Sequence, residues 1–284
     1  MHTQDGLAPG GHAQGALSTS RVDAWWSFPA ATALGLTAFV VYTTWAALQG
    51  EHYYAAPYLS PFYSPVLFTD PSAPGAAPLS HAWFGAWPSW WPRWLPASPA
   101  LLILIFPGAF RFTCYYYRKA YYRAFAGSPP ACAVAPLATG LRHYRGETAW
   151  LLFQNLHRYA LYFAIAFIFI LGYDAILSFW RRGPDGAAHL GVGLGSLVLV
   201  VNVVLLAAYT FGCHSWRHLM GGRKDAFTAD GRPTVWHRIW SRVTWLNERH
   251  MLFAWLSLFW VGFTDVYVRL VSMGVIADPN TWGY

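Results

Sequence analysis

The chain holds three cysteines and eleven histidines, and several stand where a metal ion could use them. The string FGCHSWRHLMGG, residues 211–222, places Cys213, His214 and His218 at the end of the most apolar segment, beside Arg217 and Arg223. Cys114 lies in RFTCYYYRKAYYR, Cys132 in SPPACAV, His157 in QNLHRY and His250 in NERHML. Thiolate and imidazole together suit an iron–sulfur cluster or zinc. Two of each form the ligand set of a Rieske-type cluster, whereas two imidazoles from facing helices suit a haem. A closed zinc site would accept the same donors but offers no evident activity inside a membrane. His214 and His218 also make an H-x3-H pair on one helix face. Membrane di-iron enzymes need several such pairs, and this chain has one. Taken singly, each residue has a plainer reading, a cysteine as a small buried hydrophobe and a histidine as a hydrogen-bonded packing residue.

These residues need elements to position them, and composition says which kind. The chain is 56% hydrophobic and 11% charged, against about 25% charged in a typical soluble domain. That is an all-α integral membrane composition. Apolar runs of about 20 residues fall at about 28–48, 99–121, 149–179, 190–216 and 251–275, which predicts a bundle of five transmembrane helices. Lys and Arg set the orientation. With the N terminus cytoplasmic, thirteen fall on the inner side and four on the outer, while Arg111 and Arg158 lie within spans. The net charge of +7 is thus a positive-inside signature, not a nucleic-acid surface. The bundle domain runs over 25–278. Residues 1–24 form a polar, Gly-rich leader without the basic start of a signal peptide, and 279–284 a short tail. An outer loop over 49–97 carries nine prolines and Trp83, Trp87, Trp90, Trp91 and Trp94, which predicts an irregular lid lying on the outer membrane surface. No P-loop, dinucleotide fingerprint or G-x-S-x-G elbow is present.

Depth, at about 1.5 Å of rise per residue, groups the donors. Cys114 and His157 fall roughly two turns from the inner end of their spans. Cys213 and His214 end the fourth span and His250 begins the fifth. Four helices therefore bring a ligand to the inner leaflet, where thiols stay reduced. His52, His81 and His189 on the outer side form no matching set. Ionisable residues within spans are functional candidates by default. Asp174 and Asp265, with Tyr173 and Tyr267 beside them in sequence, suggest a proton path from outside, or ion pairs with Arg269, Arg181 or Arg182. Arg111 could hold a quinone carbonyl or a lipid phosphate.

RFTCYYYRKAYYRAFAGSPPACAV, QNLHRYALYF, FGCHSWRHLMGG and NERHMLFAWLSLFWVGFTDVYVRLV resemble the membrane anchor of respiratory complex II. The likeness is to the single-chain, five-helix anchors of actinobacterial succinate:quinone oxidoreductases and covers about 25–278. It implies a flavoprotein subunit and an iron–sulfur subunit docked on the cytoplasmic face. It also implies quinone as substrate, menaquinone being favoured, and a multi-pass place in the cell membrane among lipids. Related anchors hold two haems, but this chain lacks an outer histidine pair. Anchors of the type it resembles are associated instead with a membrane-embedded Rieske-type [2Fe–2S] cluster. The expected ligands are then Cys114, Cys213, His157 and His250, one per helix, with Cys132, His214 and His218 in reserve. Cys213 and His214 differ by about 100° around the helix, so facing direction decides between them. A single haem b is the alternative, and a metal-free anchor or transporter using Asp174 and Asp265 is the third reading.

Overall fold

In a medium without water, every backbone N–H and C=O must bond within the chain, so the apolar segments have little choice but helix. The computed structural model describes residues 15–137, 155–221 and 226–283. In chain order its helices are α1 (Ser27–Gln49), α2 (Pro99–Ile103), α3 (Ile105–Thr113), α4 (Tyr115–Ala124), α5 (His157–Leu177), α6 (Leu194–Phe211), α7 (His214–Gly221), α8 (Val235–Glu248) and α9 (His250–Ser272). Among the described residues, α1, α5, α6 and α9 are long and apolar enough to cross a membrane. They answer four of the five expected spans, although 149–154 lies outside the described residues. Helix α9 is the centre, packing on α6 and α1; α6 packs on α5, and α5 on α3. Leu34, Phe169, Val204 and Phe259 point outward and stay exposed, as expected of a lipid-facing surface.

The expected unbroken span over 99–121 is instead three short helices. Pro107 has no N–H for the Ile103 carbonyl, and its ring crowds that carbonyl; α2 ends at Ile103 and α3 restarts one residue later. The second break is Cys114, extended at φ −60°, ψ 130°. Neither glycine nor proline adjoins it, so the cause is tertiary. Arg111 before the break and Tyr117 after it both donate to the Ala254 carbonyl of α9, at 3.3 and 2.6 Å.

Helix α1 stops at Gly50, whose φ of 66° is the left-handed conformation that a helix end favours in glycine. Residues 50–98 then form the lid. It contains the hairpin β1 (Tyr54–Ala55) and β2 (Tyr58–Leu59) and one short 3-10 turn at Leu79–His81, and is otherwise irregular. The lid does more than rest on a surface. Tyr53, Tyr58 and Tyr63 are almost wholly buried, and the Tyr53 and Tyr63 rings stack at 4.2 Å. Trp83, Trp90 and Trp94 remain exposed at its rim. Two further hairpins, β3 (Trp180–Arg182) with β4 (Ala188–Leu190) and β5 (Thr228–Ala229) with β6 (Arg232–Pro233), lie between helices.

One polar knot ties the lid to the bundle. Asp265 is fully buried and accepts hydrogen bonds from Tyr42 of α1, at 2.5 Å, and from Ser60 of the lid. Arg269 pairs with it at 3.4 Å, donates to the Glu51 carbonyl at 2.8 Å and lies 5.2 Å from the Trp45 ring centre. The ends of the described chain are also held. Arg21 donates to the Cys132 carbonyl at 2.9 Å and Thr19 to the Ala133 carbonyl at 2.6 Å. The tail folds back, Thr281 N–H bonding the Val192 carbonyl and Trp282 the His189 carbonyl.

Removing one partner of a buried ion pair typically costs 3–5 kcal/mol, because the other charge is left uncompensated. Arg269→Met should therefore destabilise the protein by roughly 3–5 kcal/mol in detergent unfolding, and adding Asp265→Asn should recover much of the loss. A single variant as stable as the parent would show that the knot does not hold the lid.

Candidate metal centre

Four helix starts meet at the end of the bundle opposite the lid, and each carries one of the expected ligands. Cys114 is the N-cap of α4, His157 the first residue of α5, and His250 the first of α9. Cys213 immediately precedes α7. All four line one cavity of about 870 Å³. Helix N-termini carry partial positive charge, so their convergence favours negative charge in the cavity.

Each side chain is held by neighbours. Cys114 and Cys213 are 2% and 1% exposed, in a cluster with Phe110, Tyr117 and Tyr209. His157 contacts the Thr113 hydroxyl through Nδ1 at 3.0 Å and stacks on Phe110, ring centres 4.7 Å apart. His250 stacks on Tyr209 at 4.9 Å, and its Nε2 lies 3.5 Å from the Cys114 sulfur. The Trp216 N–H donates to the Cys213 sulfur at 3.2 Å. Cys213 owes its place to Gly212. A Cβ there would fall 2.7 Å from the Ala208 carbonyl oxygen and 3.1 Å from that of Leu246. The Asn247 amide then donates to the Gly212 carbonyl at 2.8 Å, pinning the end of α6 to the end of α8.

The reserve residues fall away from this arrangement. His214 lines the cavity but is exposed, as is His218, so the helix end turns Cys213 inward. Cys132 is exposed and does not line the cavity. Among the described residues no three His, Cys, Asp or Glu side chains converge closely enough to hold an ion; the four surround the cavity, and packing sets their ring and thiol directions. The donor set still fits a cluster. Two soft sulfurs are buried and two imidazoles half-buried around one space, and Nδ1 of His157 is already engaged by Thr113, leaving Nε2 to ligate. Sequence reasoning missed Phe110, Thr113, Tyr209, Gly212 and Asn247. Only the glycine beside Cys213 left a signal in the sequence.

The other polar candidates scatter. Arg111 lies beside the cluster of rings, donating to the Tyr117 hydroxyl at 2.7 Å and to Ser257 at 3.0 Å, with Tyr209 4.7 Å away. Asp174 accepts from Ser64 in a lid-end cavity of about 470 Å³ that also holds His81. Burial pushes the His81 imidazole below its ordinary value, which keeps it neutral. Tyr173 is exposed, and Tyr267 donates to Asp278 at 2.5 Å, so neither tyrosine joins its neighbouring aspartate.

Comparison places this arrangement among known proteins. No curated protein matches the chain. The solved structure "Mycobacterium smegmatis Sdh1 complex in the apo form" contains a chain 45% identical to this one, with a TM-score of 0.77 and 92% of each chain covered. Residues 27–274 match the family described as actinobacterial succinate dehydrogenase subunit SdhC. That match runs through all four long helices and through Cys114, His157, Cys213 and His250, and the chain therefore belongs to the SdhC family, the membrane subunit of the succinate dehydrogenase complex.

Proposed function

We propose that this subunit relays electrons from a soluble iron–sulfur subunit to a quinone through a Rieske-type [2Fe–2S] cluster held by Cys114, Cys213, His157 and His250. The observation that carries this reading is the meeting of two buried thiols and two packed imidazoles, from four helix starts, around one cavity. When bound, such a cluster supplies one-electron chemistry at a potential raised by its two imidazoles. The chain does the rest. Thr113 orients His157, Gly212 and Asn247 fix Cys213, and the rings of Phe110 and Tyr209 keep water from the far side of both imidazoles.

The basic segments 115–123, 217–221 and 226–249 lie at the cavity end, which supports an N terminus in the cytoplasm and docking of the flavoprotein and iron–sulfur subunits there. On this reading α2, α3 and α4 together make the fifth crossing, in the cell membrane. Menaquinone is the favoured substrate. On the same reading Asp174, which lines the lid-end cavity with His81, exchanges protons with the outside, and Asp265, committed to Arg269, Tyr42 and Ser60, serves as a structural anchor.

Metal and sulfide analysis of the purified complex should find iron and acid-labile sulfide in excess of what the soluble iron–sulfur subunit carries, an excess that Cys114→Ser and Cys213→Ser remove and that Cys132→Ser and His218→Ala retain. A sharp haem α band in the dithionite-reduced spectrum would replace the cluster by a haem b. No metal beyond that of the soluble subunits would leave a purely structural anchor or transporter.

Kinetics gives a second check. His157→Ala and His250→Ala should abolish quinone reduction while succinate oxidation by a water-soluble artificial acceptor continues. Unchanged quinone reduction in both variants would sink the relay.

A further inference from the structure

Two aspartates stand in the membrane-type helices, and the fold treats them differently. Asp265 has Arg269 beside it. Asp174 has no cation: among the described residues neither Lys nor Arg pairs with its carboxylate. Its Oδ2 accepts from the Ser64 hydroxyl, and among the described residues no donor meets its Oδ1. Asp174 lies in the last turn of α5, a helix of 21 residues. That length matches a hydrocarbon core of about 30 Å, so the carboxylate stands at the boundary between acyl chains and headgroups.

The lid-end cavity in front of it, about 470 Å³ in volume, offers acceptors and rings. Its acceptors are the Asp174 carboxylate, the Ser80 hydroxyl and His81, whose neutral imidazole carries one acceptor nitrogen. Tyr54 holds the His81 ring, centres 5.1 Å apart. Among the described residues no Lys or Arg lines the space. The rings are Trp83 of the lid and Phe169 and Tyr173 of α5, all exposed. Aromatic faces attract a cation. From the cavity an exposed stripe of Tyr162, Phe169, Tyr173 and Ile176 runs along one face of α5. An uncompensated carboxylate at this depth is costly unless a ligand brings the opposite charge.

We propose that this cavity seats the primary ammonium of phosphatidylethanolamine from the leaflet on the lid side. The ammonium lies on the Asp174 carboxylate, donates its other N–H groups to Ser80 and His81, and is flanked by the Trp83 and Tyr173 rings. One acyl chain follows the stripe along α5. A choline headgroup has no N–H for these acceptors. An anionic headgroup would set like charge against the carboxylate, and a neutral hydroxyl would leave that charge uncompensated. Because Ser80, His81 and Trp83 belong to the lid and Asp174 to α5, the seated lipid joins the two at a second point, away from Asp265. While a headgroup is seated Asp174 stays ionised, so proton exchange at this carboxylate belongs to the empty seat. The inference does not rest on the cluster or on quinone.

The test uses the intact complex in phosphatidylcholine nanodiscs that contain a phosphatidylethanolamine probe. A photoreactive diazirine sits on one acyl chain of the probe, and its ammonium is left free. Adducts should map to 80–83 and 162–176, and a phosphatidylcholine probe with the same chain should give about tenfold fewer. Asp174→Asn should erase that preference, and Asp174→Glu should keep much of it. Trp83→Ala, at the exposed rim of the lid, should weaken ethanolamine labelling, and assembly with the soluble subunits reports folding in every variant. Asp185→Asn, an exposed carboxylate in the hairpin that follows α5, should leave labelling unchanged. Equal labelling by the two lipids, or an unaltered preference in Asp174→Asn, would overturn the seat. Adducts displaced by an isoprenoid quinone and not by unlabelled phosphatidylethanolamine would give the cavity to a quinol and overturn it too.

Discussion

Asp265 carries a carboxylate at zero exposure in the middle of a membrane-type helix, and much of the architecture follows from making that tolerable. An isolated ion moved from water to a low-dielectric interior loses several kcal/mol even after relaxation. Three parts of the chain compensate it: Arg269 one turn along the same helix, Tyr42 of α1, and Ser60 of the lid. Because Arg269 also reaches the Glu51 carbonyl, the lid cannot shift without uncovering the charge. A proline-rich loop, with few regular backbone hydrogen bonds of its own, thereby gains a fixed position over the bundle.

The opposite end of the bundle follows a different logic. There the candidate donors stand at helix starts, and stacked rings hold the two imidazoles. Phe110 backs His157, and Tyr209 backs His250. The break at Cys114 lets one short stretch of chain serve two purposes: Phe110 and Arg111 stay inside the bundle while Cys114 turns to the cavity. A continuous helix would hold them in one rigid register. Phe110 and Tyr209, which back the two imidazoles, also line a cavity inside the bundle.

How much of this was legible in the residues can be judged case by case. The four long helices are written in uninterrupted apolar runs, because burial of apolar surface and internal backbone bonding leave no other fold for them. The candidate donors were grouped by depth, because helical rise converts sequence position into distance along one axis, and the family resemblance implied which four to expect. The breaks were not found. Pro107 was a visible signal for the first, since proline lacks the needed N–H. Cys114 offered none, since its extended backbone answers to contacts with Ala254, which is 140 residues away.

The amino-acid sequence by itself thus determined the membrane class, the apolar helices and the set of thiols and imidazoles at one depth, all of which depend on local composition and rise along a single axis. Only the tertiary structure decided the burial of Cys213 beside an exposed His214, the partnership of Asp265 with Arg269 and the deep packing of the lid. Those depend on rotation about helix axes and on contacts between distant segments, and no periodicity within one helix encodes the direction in which its neighbour will face.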